Sequence, residues 1–258
     1  MLRFYKFTED IPAPVAARPA YLKRDRGNSR REPGGGWPEE CPPIRAVNAF
    51  GWDLLAPFDL AFTRQESGDW KVEDPVEIES DWVYTPTDAE EGVEGAPLVQ
   101  KNAWLWDEKQ ELPHAIAAST FEAIRNQVKV STFLFLRTDE NELLYMSDIP
   151  NLSRPFRAFS ALLDTDWYPS SYPWHCVLEL NPDHDEIRIP AGEPLCRVFT
   201  VRRDQYFARE MSPADFHDHF ERSQRWLDRH GKGETEGAVD IRGSYGQQQR
   251  LSRFSVIL

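Results

Sequence analysis

Two acidic residues stand where the chain is otherwise apolar or turn-forming: Asp166 in Asp164-Thr-Asp-Trp-Tyr168, and Glu193 in Pro190-Ala-Gly-Glu-Pro194. A carboxylate in such surroundings has to be paired, hydrogen-bonded or used. Arg137, at the end of the run Val128 to Leu136, brings a guanidinium whose forked donors match a carboxylate, either Asp164 or Asp166 within the chain or one carried by a ligand. Asn48 and Asn151 add amides that both donate and accept, and Trp52, Trp167 and Trp174 add flat apolar surfaces. Polar groups set against aromatic walls are what a small-molecule or peptide pocket requires. For each residue taken alone the competing reading is a hydrogen-bonded staple of a turn, so four or more of them around one cavity would mark a site.

Other chemistries leave weaker traces. His184-Asp-Glu186 has the spacing of a His-x-Glu facial pair, and with His175 it would suit a mononuclear metal oxygenase. No well-placed second histidine strand accompanies it. The turn Pro190-Ala-Gly192 resembles part of the second cupin motif, but Leu195 stands where that motif has its His. His217 and His219 are two apart on a predicted helix, about 200° around it, so they do not share an ion. No metal ligand, cofactor or catalytic residue is therefore assigned. There is no Gly-x-Ser-x-Gly, and His175 adjoins Cys176 on a predicted strand, where neighbours point to opposite faces.

The elements that must position these residues read mostly as strands. Trp174 to Leu180 and Glu186 to Ile189 flank Asn-Pro-Asp-His-Asp and predict a hairpin; Leu195 to Val201 follows a tight turn, which makes an antiparallel meander of three. Val128 to Leu136 predicts a central strand with Leu143 to Met146 as its hairpin partner, and Phe156 to Leu163 another strand. Leu2 to Phe7 predicts a short first strand. Phe58 to Thr63 pairs with Trp70 to Val72, and Val76 to Ile78 extends that pair. Ile44, Ala46 and Asn48 fall on one face of a further strand, with Gly51 permitting a bend before Trp52. Ser212-Pro-Ala-Asp215 opens the one clear helix, which has Ser as N-cap and Pro in its first turn; Phe216, Phe220, Ser223 and Leu227 form a stripe, and Gly231 stops it.

Composition bounds the whole. The 258 residues contain twenty Pro and nine Trp, and this tryptophan-rich, loop-rich make-up favours β structure over long helices. A net charge of −13 makes the chain acidic and argues against nucleic acid as partner. The three cysteines lack CxxC spacing and suit a reducing compartment. Neither a signal-peptide core nor a long apolar run is present, which predicts a cytoplasmic protein with no membrane partner. The basic stretch from Lys23 into Pro33-Gly-Gly-Gly36 reads as a mobile loop over 23–36 and Asp88 to Glu94 as an acidic surface loop. The Gly run is not followed by the Lys-Ser/Thr of a phosphate loop.

The ordered series Cys41-Pro-Pro, Asn48-Ala-Phe-Gly-Trp52, Thr132-Phe133, Arg137-Thr138, Pro150-Asn151, Asp164-Thr-Asp-Trp167, Trp174 and Gly192-Glu-Pro-Leu-Cys196 resembles the bacterial DUF6065 family. The resemblance spans roughly residues 41 to 205. It implies an intact single domain and carries over no activity and no cofactor.

These readings together predict a mainly β fold, an antiparallel β-sandwich or distorted barrel with a C-terminal α-helix. One domain over 1–230 is expected, then a flexible C-terminal tail over 231–258 that could bind a partner. The leading functional expectation is a small-molecule or peptide-binding β-rich protein, with an enzyme of bacterial specialised metabolism as one form of it. The alternatives are a non-catalytic protein-interaction module, with a homodimer among its forms, and the mononuclear metal oxygenase.

Overall fold

The computed structural model describes residues 1–18, 41–84, 95–105, 125–168, 172–235, 238–240 and 242–254. The expected loops at 23–36 and 88–94 and the last four residues lie outside them. The chain is mainly β, 42% strand and 18% helix, with antiparallel sheets and no closed barrel among the described residues. Its contacts divide it into two compact units, Met1–Leu22 with Asn48–Arg203, and Lys23–Val47 with Asp204–Leu258. This boundary differs from the one expected at residue 230.

In the first unit, one sheet has the order β1 (Arg3–Lys6), β9 (Gln127–Arg137), β13 (Trp174–Leu180), β11 (Phe156–Ala158), and β8 (Ala103–Leu105) also pairs with β9. A second has the order β12 (Ala161–Leu163), β10 (Glu142–Ser147), β15 (Pro194–Arg202), β3 (Trp52–Leu55), β2 (Val15–Ala16). A third joins β14 (Glu186–Ile189), β4 (Leu60–Arg64) and β5 (Trp70–Glu73), and β6 (Glu77–Tyr84) pairs with β7 (Ala96–Lys101). The strands are rich in β-branched and aromatic residues, and alternation sorts their faces: in β14 Ile187 and Ile189 are buried while Glu186 and Arg188 are exposed. Val128, Val130 and Leu134 of the first sheet, Leu54, Leu144 and Val198 of the second, and Phe62 and Ile187 of the third belong to one continuous core. That shared core is the sandwich-like feature of the unit.

The strands are largely where the pattern predicts, but their partners are not. β13, β14 and β15 lie in three different sheets, so the expected meander does not form. The connection at 181–185 carries the chain away from the first sheet, and β14 takes β4 as partner, from Glu186 opposite Thr63 to Ile189 opposite Leu60. β10 is likewise not the hairpin partner of β9, because both edges of β9 are occupied, by β1 and β8 on one side and β13 on the other. It pairs instead with β12 and β15. The expected strand over 156–163 is two short ones, β11 and β12, in different sheets, and β6 forms its own hairpin with β7 instead of extending β4 and β5.

The segment bearing Ile44, Ala46 and Asn48 is a helix, α1 (Pro42–Asn48), not a strand. Its two prolines fall in the first turn, where a missing N–H costs nothing, and the Arg45 N–H donates to Cys41 O at 2.9 Å. In the second unit, α2 (Pro213–His230) starts on a capping box of Ser212 and Asp215. The C-terminal segment expected to be flexible carries the hairpin β16 (Lys232–Thr235) and β17 (Ala238–Asp240), then α3 (Arg242–Phe254). Gln247-Gln-Gln249 and Leu251 are better helix formers than the Gly-rich look of the stretch suggests. No helix among the described residues is long and apolar enough to cross a membrane.

Candidate functional site

The last residues of β9 run on past β13, whose final register partner is Leu134. β1 flanks this overhang, with Arg3 opposite Arg137 and Tyr5 opposite Phe135, and residues directly opposite in an antiparallel pair share a face. Two guanidinium groups and two aromatic rings therefore stand together at the end of the sheet. The turn after β12 closes the other side. Its shape comes from Asp164, whose carbonyl accepts from the N–H groups of Trp167 at 3.3 Å and Tyr168 at 2.9 Å, while its carboxylate accepts from Trp167 Nε1 at 3.3 Å. The turn is tied to β9 through Thr138, whose N–H donates to Thr165 O at 3.4 Å and whose hydroxyl lies 2.9 Å from that of Thr165. Between β1, the end of β9 and this turn lies a groove of about 410 Å³, lined by Arg137, Asp166 and Trp167 together with Arg3, Phe4, Tyr5, Phe135, Leu136, Thr165 and Tyr168.

Charge in the groove is unevenly satisfied. Arg203, just past β15, donates to Asp164 at 2.5 Å and to Asp166 at 2.6 Å. Burial acts to raise the Asp166 carboxyl, but the hydrogen bond and charge of Arg203 outweigh it and hold the group below the ordinary aspartate value. The same pairing, through Asp164 first and then Asp166, raises the Arg203 guanidinium. Arg3 donates to Asp139 at 2.7 Å. The expected pairing of Arg137 with Asp164 or Asp166 does not occur, because Arg203 occupies both. The Arg137 side chain is exposed and makes no hydrogen bond or ion pair with a described residue. Tyr168 and Tyr172 hydroxyls approach to 3.5 Å, and that contact, with burial, raises the Tyr172 phenol.

Three candidates thus meet, Arg137, Asp166 and Trp167, and the others lie elsewhere. Asn48 and Asn151 form a separate pair, Asn151 Nδ2 donating to Asn48 Oδ1 at 2.9 Å, with Asn151 in the left-handed region at φ 61°. Beneath them Arg197 donates to the Asn48 carbonyl at 3.0 Å and to the Asp53 carboxylate at 2.7 and 3.2 Å, and both charged side chains are buried. This bundle ties Asn48 to β3, β15 and the 150s loop, which is a staple's work. Trp52, half-exposed on β3, sits opposite Val198 and Ala16. Trp174 lies at the register shift between β13 and β9, where its carbonyl accepts from Thr132 Oγ1 at 2.6 Å. Glu193 contributes through its backbone: its N–H donates to Pro190 O at 3.0 Å and its carbonyl accepts from Ala56 N–H at 2.8 Å.

The residues weighed as metal ligands do not converge. His175 packs against the rings of Trp104 and Tyr172, with centroids 5.0 and 5.1 Å away, and its Nδ1 is 3.1 Å from Pro173 O. Glu186 pairs with Arg188. Among the described residues no three His, Cys, Asp or Glu side chains gather so as to hold a metal ion. Cys176 and Cys196 are free and buried, and the hydrogen bond between them, with burial, pushes the Cys196 thiol well up, which suits packing and not nucleophilic attack.

Sequence reasoning missed Arg203, Arg197 and Asp53. A signal for the last two was present: each interrupts an apolar strand, in Trp52-Asp-Leu-Leu55 and Leu195-Cys-Arg-Val-Phe199. No family model matches this chain, and no curated protein matches it.

Proposed function

We propose that the protein binds a small molecule in the groove between β1, the end of β9 and the 164–168 turn. The observation that carries this reading is the meeting of Arg137, Asp166 and Trp167 in one cavity of about 410 Å³, a volume within the range of small-molecule pockets. Three of the sequence candidates meet there, one fewer than would stand on its own. Tyr168, from the aromatic run 167–174, and Arg3, Phe4 and Tyr5, which sequence did not single out, add further polar and aromatic lining. An enzyme of bacterial specialised metabolism would be an elaboration of the same groove. A fragment screen followed by protein-observed NMR tests the reading. Groove binders should shift the Trp167 indole N–H signal, and Trp167→Ala should weaken them; a screen in which no fragment perturbs that signal would refute it.

The interaction-module reading has its own support in the second unit, where Tyr206, Phe207 and Met211 are 77, 85 and 55% exposed. Large exposed apolar side chains are a mark of protein contact where they gather in one patch, and these three lie within six residues of the chain. Native mass spectrometry decides it: a homodimer or a retained protein would favour that reading, and a bare monomer would remove it.

A further inference from the structure

Resting on the groove reading above, we infer that the occupant is a small aromatic monocarboxylate, its anion held by Arg137 and its ring by the surfaces of Trp167 and Tyr5. The first support is the opposition of Arg3 and Arg137 in register across β1 and β9. Like charges placed directly opposite each other in an antiparallel pair repel. Arg3 has Asp139 at 2.7 Å, whereas the two acids nearest the groove wall, Asp164 and Asp166, are both committed to Arg203. Arg137 is left with its forked donors turned to no described acid, and a planar carboxylate matches that fork with two parallel hydrogen bonds.

The walls decide the rest of the ligand. Tyr5, Trp167 and Tyr168 line the groove and are 57, 65 and 44% exposed. A flat ring placed on such faces gains both apolar burial and the offset or edge-on geometry that aromatic pairs prefer. Asp166 limits the charge. Its ionised carboxylate lines the same groove as Arg137, so a second anionic group on the ligand meets repulsion, which favours a single carboxylate over a phosphate or a diacid. A cavity of about 410 Å³ has room for roughly a dozen waters, enough for a ring bearing a short acidic arm.

The test is calorimetric titration of the full chain with phenylpropionate and with its neutral counterpart phenylpropionamide, beside Arg137→Gln and Trp167→Ala. A hydrogen-bonded charge pair predicts that the acid binds about tenfold or more tighter than the amide. Arg137→Gln should abolish that preference by weakening the acid at least tenfold more than the amide, while Trp167→Ala should weaken both probes alike. Arg137 is exposed, so its replacement tests the site and not the fold, and a circular dichroism melt verifies this. Equal binding of acid and amide, or equal weakening of both by Arg137→Gln, overturns the carboxylate inference and leaves the groove standing. Failure of both probes while other fragments still shift Trp167 overturns the aromatic acid alone; failure of every fragment removes the groove reading itself.

Discussion

Removing the carboxylate of Asp53 should be among the most damaging single changes in the protein. Arg197 is 1% exposed and Asp53 0% exposed, and they meet at two points, 2.7 and 3.2 Å. Asp53→Ala leaves a buried guanidinium without its counter-ion, since the contact to the Asn48 carbonyl at 3.0 Å is neutral. Breaking such a pair from one side costs about 3–5 kcal/mol, a fall of roughly 6–20 °C in Tm for a chain of this size. Replacing both partners, as in Asp53→Leu with Arg197→Met, removes the stranded charge, and the remaining cost includes the orphaned Asn48 carbonyl, about 1–3 kcal/mol. Urea unfolding followed by tryptophan emission measures both, because Trp70 and Trp104 are buried in the same unit as the pair. A single variant that loses less than about 1 kcal/mol, or a double variant that loses the sum of the two singles, would refute the reasoning.

Two further outcomes follow from local geometry. Asp166 has a folded pKa below its unfolded value, so its stabilisation of the 164–168 turn is fully present above the ordinary aspartate range and is lost as pH falls through the lowered value; carboxyl NMR titration should show this, and Arg203→Gln should move the Asp166 midpoint upward. Gly51 and Gly192 both have positive φ, 92° and 85°, but a Cβ on Gly51 would lie 2.5 Å from Val198 O while one on Gly192 meets nothing. Gly192→Ala should cost about 1–2 kcal/mol for the left-handed backbone, and Gly51→Ala a further 1–3 kcal/mol or so for the clash; equal losses in thermal melts would contradict the close approach at Gly51.

Local pattern made the strands legible and left their partners hidden. Ile187 and Ile189 announce a half-buried strand in four residues, but nothing in Glu-Ile-Arg-Ile says that the opposite strand begins at Leu60 and not at Trp174. Pairing is decided by which edges are still free and by a core shared among three sheets, neither of which a window of sequence contains. In α1 the i, i+2 spacing of Ile44, Ala46 and Asn48 imitates a strand face, whereas Pro42 and Pro43 fit the first turn of a helix. In the site, Asp166 was legible as an acid in apolar company, and its partner was not, since Arg203 reaches it from the end of a strand 37 residues on. The rule that picked out Asp166 and Glu193 applied with more force to Asp53 and Arg197, where the flanking residues are more apolar and burial is complete.

The dispersal of β13, β14 and β15 among three sheets governs how the molecule can assemble. Three of its strand pairs close late: β1 is finished at residue 6 and its partner begins at 127, β3 ends at 55 and β15 begins at 194, and β4 ends at 64 and β14 begins at 186. A chain emerging from the ribosome therefore holds β1 until residue 137 and the β15 edge of β3 until nearly the whole first unit has been made, with local pairs such as β4 and β5 as its early structure. Such distant pairing belongs to the slow class of folders, on the order of milliseconds to seconds, and the waiting strand edges are an opening for association with other chains during synthesis. The groove, built from β1, the end of β9 and the 164–168 turn, exists only once the chain has been made to residue 168, while the second sheet still waits for β15.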